Sequence, residues 1–327
     1  MKFGLIPIEG GHFFNEALEE AVYGEEMGFD SVWLEEHHGI RDHYWPSPLI
    51  ALAGIAACTS NILLGTDIVV LPFYHPVRVA EDVAMLDILS GGRVIFGAAI
   101  GYREPEFSLY GIDLDNRGAR YVEILKIIRA LWAEGSIDYQ GRFYQVSGNI
   151  EPRPDRVPPI WLGGWGDLSL KRAARLGDAW VPGPTANLEK LISAQKQYRD
   201  YLKEYGKDPE TVPTPLTREV VIGATNEEAW ELAEKYLMIS YRDEYGGGWK
   251  HPLIGKQDKT SVDTLAALGQ DRFIIGSPTE CVETIRRFRE AFGVDHLICR
   301  LYFPGMPHEH IMKEIKLLAA EVLPHFR

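Results

Sequence analysis

The sequence is short of three things, and each shortage removes a class of function. Cysteine is the first: Cys58, Cys281 and Cys299 are the whole supply. They are odd in number, scattered, and without metal-ligand spacing, so neither a disulfide framework nor a cysteine metal centre is expected. They read as reduced, mostly buried thiols of a cytoplasmic protein. Positive charge is the second. Lys and Arg total 34 against 47 Asp and Glu, giving a net charge of −13 and a pI near 5.3. That balance keeps a protein soluble and argues against binding to a nucleic-acid backbone or an anionic membrane. The densest basic cluster, Lys171, Arg172 and Arg175, falls on a predicted helix and reads as a solvated face. Long apolar runs are the third. None reaches the ~18 residues of a membrane span, and the opening "MKFGLIPIEGG" turns polar too soon for a secretory signal.

What the sequence does have is alternation. With 327 residues, 46% of them hydrophobic, it can bury a large core. Strand-like runs are "KFGLIPI", "DSVWLEE", "NILLGTDIVVLP", "GRVIFGAAIG", "PIWLGG", "DAWVPG", "REVVIGA" and "DHLICRLYF". Between them lie segments of helical periodicity. Asn15–Met27 stops at Gly28, and Arg117–Glu134 and Asn187–Tyr205 are two more. Ser47-Pro48, Pro76 and the capping box Ser277-Pro278-Thr279-Glu280 open others. Eight strands alternating with helices predict an α/β fold, a single (β/α)8 TIM barrel over residues 1–327, with a doubly wound open sheet as the runner-up. One segment breaks the alternation. Residues 243–271, after the seventh strand, are long, with Gly246, Gly247 and Gly248 as hinge candidates, and predict an inserted lid.

In such a barrel the chemistry lies at the carboxyl ends of the strands. "WLEEHHG", Trp33–Gly39, ends the second strand. Neighbouring side chains on a strand face opposite ways, so His37 and His38 cannot both look into the barrel mouth while the strand continues. No H-E-x-x-H accompanies them. A metal site, a structural histidine pair and an acid–base site all remain open, and the last is preferred because imidazole titrates near neutral pH. Phe13, Phe14, Tyr44 and Trp45 follow the first two strands and are candidates for the wall of an apolar substrate pocket.

"GFDSVWLEEHHG", "ILLGTDIVVLPFYHPVRVAEDVAMLDILSGGRVIFG" and "YGIDLDNRGARYVEIL" resemble the luciferase-like monooxygenase family. "PIWLGG…AARLGDAW" and "FIIGSPTECVETI…FGVDHLICR" extend the resemblance to the C-terminus. It implies that His37 is catalytic, with Glu36 setting its orientation or charge. It implies a non-prolyl cis peptide at Asp67-Ile68 under a flavin ring. It also implies a phosphate site after the fifth strand, at Gly163, Gly164, Trp165, Gly166 and Ser169, where glycines and a helix N-terminus suit an anion. Luciferases carry a reactive cysteine and then a phosphate-binding arginine after the fourth strand. Ala99 and Ile100 stand there in this chain, so Arg103 is the candidate to replace the lost charge. Glu106 matches an acidic position near the family's active site, with a solvated loop carboxylate as the alternative.

The function this implies is a flavin-dependent monooxygenase. It would use reduced FMN, supplied by a flavin reductase partner, and dioxygen to oxidise a small organic substrate. The alternatives are a deazaflavin-dependent hydride-transfer oxidoreductase, a non-catalytic flavin-binding partner subunit, and a metal hydrolase on the same fold. A homodimer is expected, with "PLIALAGIAAC" serving either core or interface.

Overall fold

The computed structural model describes residues 1–41, 43–242 and 264–327. Among the described residues twelve strands form: β1 Lys2–Ile6, β2 Ser31–Leu34, β3 Leu63–Thr66, β4 Val69–Val70, β5 Val94–Ala99, β6 Ser136–Gln140, β7 Gln145–Asn149, β8 Ile160–Gly163, β9 Ala179–Val181, β10 Pro215–Ile222, β11 Ile274–Gly276 and β12 His296–Arg300. All eight expected runs become strands of one parallel sheet, in the order β11-β10-β12-β1-β2-β3-β5-β8-β9. The chain winds back on itself, because β1 pairs with both β2 and β12. Helices cover the outer face, each opened and closed by local chemistry. Pro76 starts Pro76–Ser90 and Gly91, at φ 72, ends it. Asn187 and Thr225 cap their helices through side-chain oxygens.

Among the described residues no ladder joins β9 to β10. Two buried arginines bridge that seam. Arg218, in β10, donates to the carbonyls of Pro184 and Ala186 at 3.1 and 3.0 Å. Arg272 donates to the carbonyl of Thr185 at 2.8 Å. Backbone acceptors just beyond β9, which burial would otherwise leave unsatisfied, are thereby paired.

Below the site the sheet's interior is apolar. Ile6, Trp33, Ile95, Trp161, Ala179, Val181 and Ile298 form a separate buried cluster, with Trp33 and Trp161 stacked at 5.0 Å. Gly65 makes room for it, since a Cβ there would fall 2.0 Å from the Trp33 ring. Alternation along β2 and its continuation then decides what faces where. Trp33 points inward while Val32 and Leu34 pack against the helices.

Several local expectations change. The polar connection from Gly141 holds the second strand of an antiparallel hairpin, β6–β7. β11, unexpected from sequence, extends the sheet beside β10. Ser277 is an N-cap without a side-chain capping bond. The N–H that Glu280 would have taken donates instead to Asn226 Oδ1 at 2.7 Å. Asp67-Ile68 is trans, the described cis bond being Glu151-Pro152. The third strand is interrupted at this stretch, between β3 and β4. Most of the expected lid, 243–263, lies outside the described residues. Its end forms a short helix, Leu265–Gly269. Among the described residues no helix is long and apolar enough to cross a membrane.

Candidate active site

A cavity of about 440 Å³ opens at the carboxyl ends of the strands, within the range of small-molecule sites. Glu36, His37, Asp67, Ile68, Gly164, Trp165 and Ser169 all line it. The chain brings these sequence candidates together from the ends of β2, β3 and β8. Gly163, Gly166 and Arg103 are not on its wall. Gly166 is instead the N-cap of the helix Asp167–Leu176. Ala99 and Ile100 add apolar wall.

His37 is the best-defined group. Its Nδ1 lies 2.8 Å from Glu106 Oε1. The same oxygen accepts from the His38 N–H at 3.0 Å and from Arg103 at 2.6 Å. Burial alone would push the Glu106 carboxyl up; the bonds from His37, the His38 backbone and Arg103 outweigh it and hold it at about 2. Glu106 is therefore ionised and can only accept, which makes Nδ1 the donor and leaves the lone pair of the neutral ring on Nε2. Burial lowers the His37 pKa, and the Glu106 charge pulls back against it. The ring is thus a neutral base in reach of the cavity.

This arrangement corrects two expectations. Glu106, buried with 1% of its side chain exposed, is the carboxylate that orients His37; Glu36 bears on His37 through its charge alone, which raises the ring's pKa. Glu36 accepts from His38 Nε2 at 2.7 Å, from the Tyr74 hydroxyl at 3.0 Å and from the Val70 N–H at 2.7 Å. The carboxylate adjacent to His37 in sequence thus serves the other histidine. His38 is structural, its second nitrogen 3.1 Å from the Tyr110 hydroxyl. Arg103 is the second correction. Its guanidinium is paired with Glu106 and the carbonyl of His38, and it does not line the cavity to which the sequence assigned it. Among the described residues no cluster of three or more His, Cys, Asp or Glu could hold a metal ion.

Asp67 is a second titratable group on the cavity wall. Burial and the charge of Glu35 raise its carboxyl to about 7, although the Thr217 hydroxyl donates to it. Gly164 has φ 125, and a Cβ there would sit 3.0 Å from Ser169 Oγ. Only glycine lets this backbone come so close to the helix start. Arg117 was missed from sequence. It lines the cavity, donates to the Leu114 carbonyl at 2.6 Å, and has a buried Nε without a partner among the described residues. Its only sequence signal is position, as the first residue of a helix that follows the fourth strand.

Beyond His37 the interior stays polar. Glu9, Glu35, His43 and Arg300 interlock there, with Arg300 Nε 2.9 Å from Glu35 and Nη2 2.6 Å from His43 Nε2. Burial, reinforced by Glu35, raises the Glu9 pKa; burial, reinforced by Arg300, lowers that of His43. Tyr44 carries Arg300 over its ring at 5.1 Å and adopts φ 62, a left-handed backbone unusual for so bulky a residue. Phe13 and Phe14 do not line this cavity; Phe14 packs edge-on against Trp45 at 6.3 Å. The signal for this interior network was present in the sequence, as charged residues set inside apolar strand runs, but not its three-dimensional closure.

Comparison with known proteins places the chain. It is 28% identical over 325 residues to an F420-dependent glucose-6-phosphate dehydrogenase of Microbacterium testaceum (strain StLB037), covering 96% of this chain and 94% of that one. It is 25% identical over 333 residues to the oxygenase component of a flavin-dependent trigonelline monooxygenase of Acinetobacter baylyi (strain ATCC 33305 / BD413 / ADP1), covering 96% and 90%. The crystal structure of the monooxygenase RslO1 from Streptomyces bottropensis superposes with a TM-score of 0.89 at 27% identity, covering 100% of both chains. The sequence profile of the luciferase-like monooxygenases matches residues 6–296. The chain belongs to the luciferase-like monooxygenase family.

Proposed function

We propose that this protein is a flavin-dependent monooxygenase that uses reduced FMN and dioxygen to oxidise a small organic substrate. The observation that carries the reading is His37, held by ionised Glu106 on the wall of the same cavity that holds Gly164, Ser169 and Arg117. The residues fit a flavin phosphate. Gly164 provides a backbone cradle that a Cβ would fill, and Arg117 brings a guanidinium with an unpartnered buried nitrogen. Ile68, Val70, Ala99 and Ile100 offer an apolar bed for a ring.

When bound, reduced flavin would supply the electron pair that activates dioxygen. The chain's own groups do the rest. Arg117, Ser169 and the Gly164 backbone bind the anionic end. The apolar wall excludes water. His37 Nε2 takes up or returns a proton beside the reacting centre, and Glu106 stabilises the imidazolium while it exists. The FMN would come from a separate reductase, in keeping with a relative named as an oxygenase component. We further read the whole chain as one domain that acts in the cytoplasm as a homodimer.

A second reading is favoured by relatives named as F420-dependent glucose-6-phosphate dehydrogenases. On it, the same cavity would take a deazaflavin coenzyme for hydride transfer. Oxygen separates the two. Substrate turnover with reduced FMN that consumes dioxygen supports the monooxygenase; turnover with the deazaflavin coenzyme under anaerobic conditions supports the dehydrogenase.

A further inference from the structure

A second, smaller chamber of about 130 Å³ lies beside the first. Glu35, His37 and Tyr102 line both, so this chamber also reaches the proposed base. Its far wall comes from β10, β12 and the helix Met238–Tyr241: Glu219, Arg300, Ser240 and Tyr241. The proposed chemistry leaves this space unassigned.

Two polar atoms on that wall lack a hydrogen-bond partner among the described residues. They are Glu219 Oε2 and Ser240 Oγ, on residues only 1% and 5% exposed. The other oxygen of Glu219 is occupied, accepting from the Tyr241 hydroxyl at 2.5 Å. Buried polar atoms are nearly always satisfied, so two orphans on one cavity wall point to a ligand that satisfies them. The charges narrow the choice. Arg300 is held by Glu35 at 2.9 Å, with Glu9 at 3.7 Å. An anionic head would therefore meet the Glu219 carboxylate while the guanidinium that lines the chamber, Arg300, is already held by a carboxylate. A wholly apolar head would leave both orphans unpaired, a cost that hydrogen-bonding sites turn into strong discrimination. A hydroxyl suits both, since it donates to a carboxylate and accepts from a serine.

Resting on the flavin reading for its place beside His37, we propose that this chamber seats a small uncharged hydroxylated substrate, whose hydroxyl donates to Glu219 Oε2 and whose oxygens accept from Ser240 Oγ. The test uses the full-length protein with and without FMN, and three probes of similar size: propane-1,2-diol, propionate and butane. Binding is read by ligand-observed NMR. The diol should bind the wild type, and propionate and butane should not. Ser240→Ala should weaken the diol about tenfold. Glu219→Gln removes the charge but keeps the shape, so it should admit propionate. FMN affinity, measured separately, should be unchanged in both variants. Diol binding that ignores both substitutions, or propionate binding to the wild type, overturns the proposal. Failure of FMN to bind the wild type would instead overturn the flavin reading, while the diol result on FMN-free protein still decides the chamber.

Discussion

His37 Nδ1 and Glu106 Oε1 lie 2.8 Å apart although 69 residues separate them in the chain. One comes from the end of β2 and the other from the short helix Glu104–Leu109 after β5. The carboxylate fixes the ring's tautomer and opposes the effect of burial on its basicity. Removing the base should cost most. His37→Ala should leave the fold intact and lower substrate turnover by about 10²- to 10⁴-fold, the usual worth of a positioned acid–base group. Turnover at the wild-type level, measured at saturating substrate, would take His37 out of the mechanism.

Glu106→Gln tests the pairing itself. Burial depresses the His37 pKa and the Glu106 charge raises it. With that charge gone, burial and the Arg103 guanidinium are opposed only by the smaller pull of Glu36, so the pKa falls further. The acid limb of the pH profile of kcat/KM should move to lower pH, together with a lower maximum because the imidazolium loses its partner. A limb that stays in place, or moves up, would mean that another group sets it.

Arg117 and Arg103 make opposite predictions for cofactor binding. Arg117→Ala should weaken FMN by roughly 10- to 100-fold, the loss of a charge-assisted bond to phosphate. Arg103→Ala should change FMN affinity little and shift the His37-dependent pH profile, because its guanidinium sits on Glu106. Fluorescence titration with FMN distinguishes the two, and a reversed order would return the phosphate role to Arg103.

Asp67 sets a pH dependence of stability. Its folded-state pKa is about 7 against an ordinary 3.8. Above 3.8 the unfolded chain releases this proton while the folded chain holds it, so stability from this group falls as pH rises from about 4 to about 7 and is flat beyond. Asp67→Asn cannot ionise. The variant should match the wild type near pH 4 and exceed it at pH 8 in urea unfolding. A stability difference that does not vary with pH would contradict the assignment.

Much of the fold was legible because its signals are local. Pro76 and Gly91 mark helix ends whatever surrounds them, and the eight apolar runs declare strands by composition. The hairpin β6–β7 escaped because its strands are short and mostly exposed, with little apolar pattern to read. At the site, His37 was legible from residue type at a strand end, and Asp67, Gly164 and Ser169 from the family resemblance; all four line the cavity. The partner of His37 was not legible. Glu36, its neighbour in sequence, turns to His38, while Glu106 arrives from the short helix after β5. Arg103 and Arg117 look alike in sequence, and only the fold shows that one is neutralised by a buried glutamate.

The central claim is that a flavin-type ring lies in this cavity against His37. Titration of the wild type and of His37→Ala with FMN and with the deazaflavin coenzyme, each followed through the ring's own absorption spectrum, tests it most directly. Saturable binding with one ring per chain and a spectral shift that differs between the two proteins are the expected results. Absence of binding by both coenzymes, or a spectrum indifferent to position 37, would contradict it.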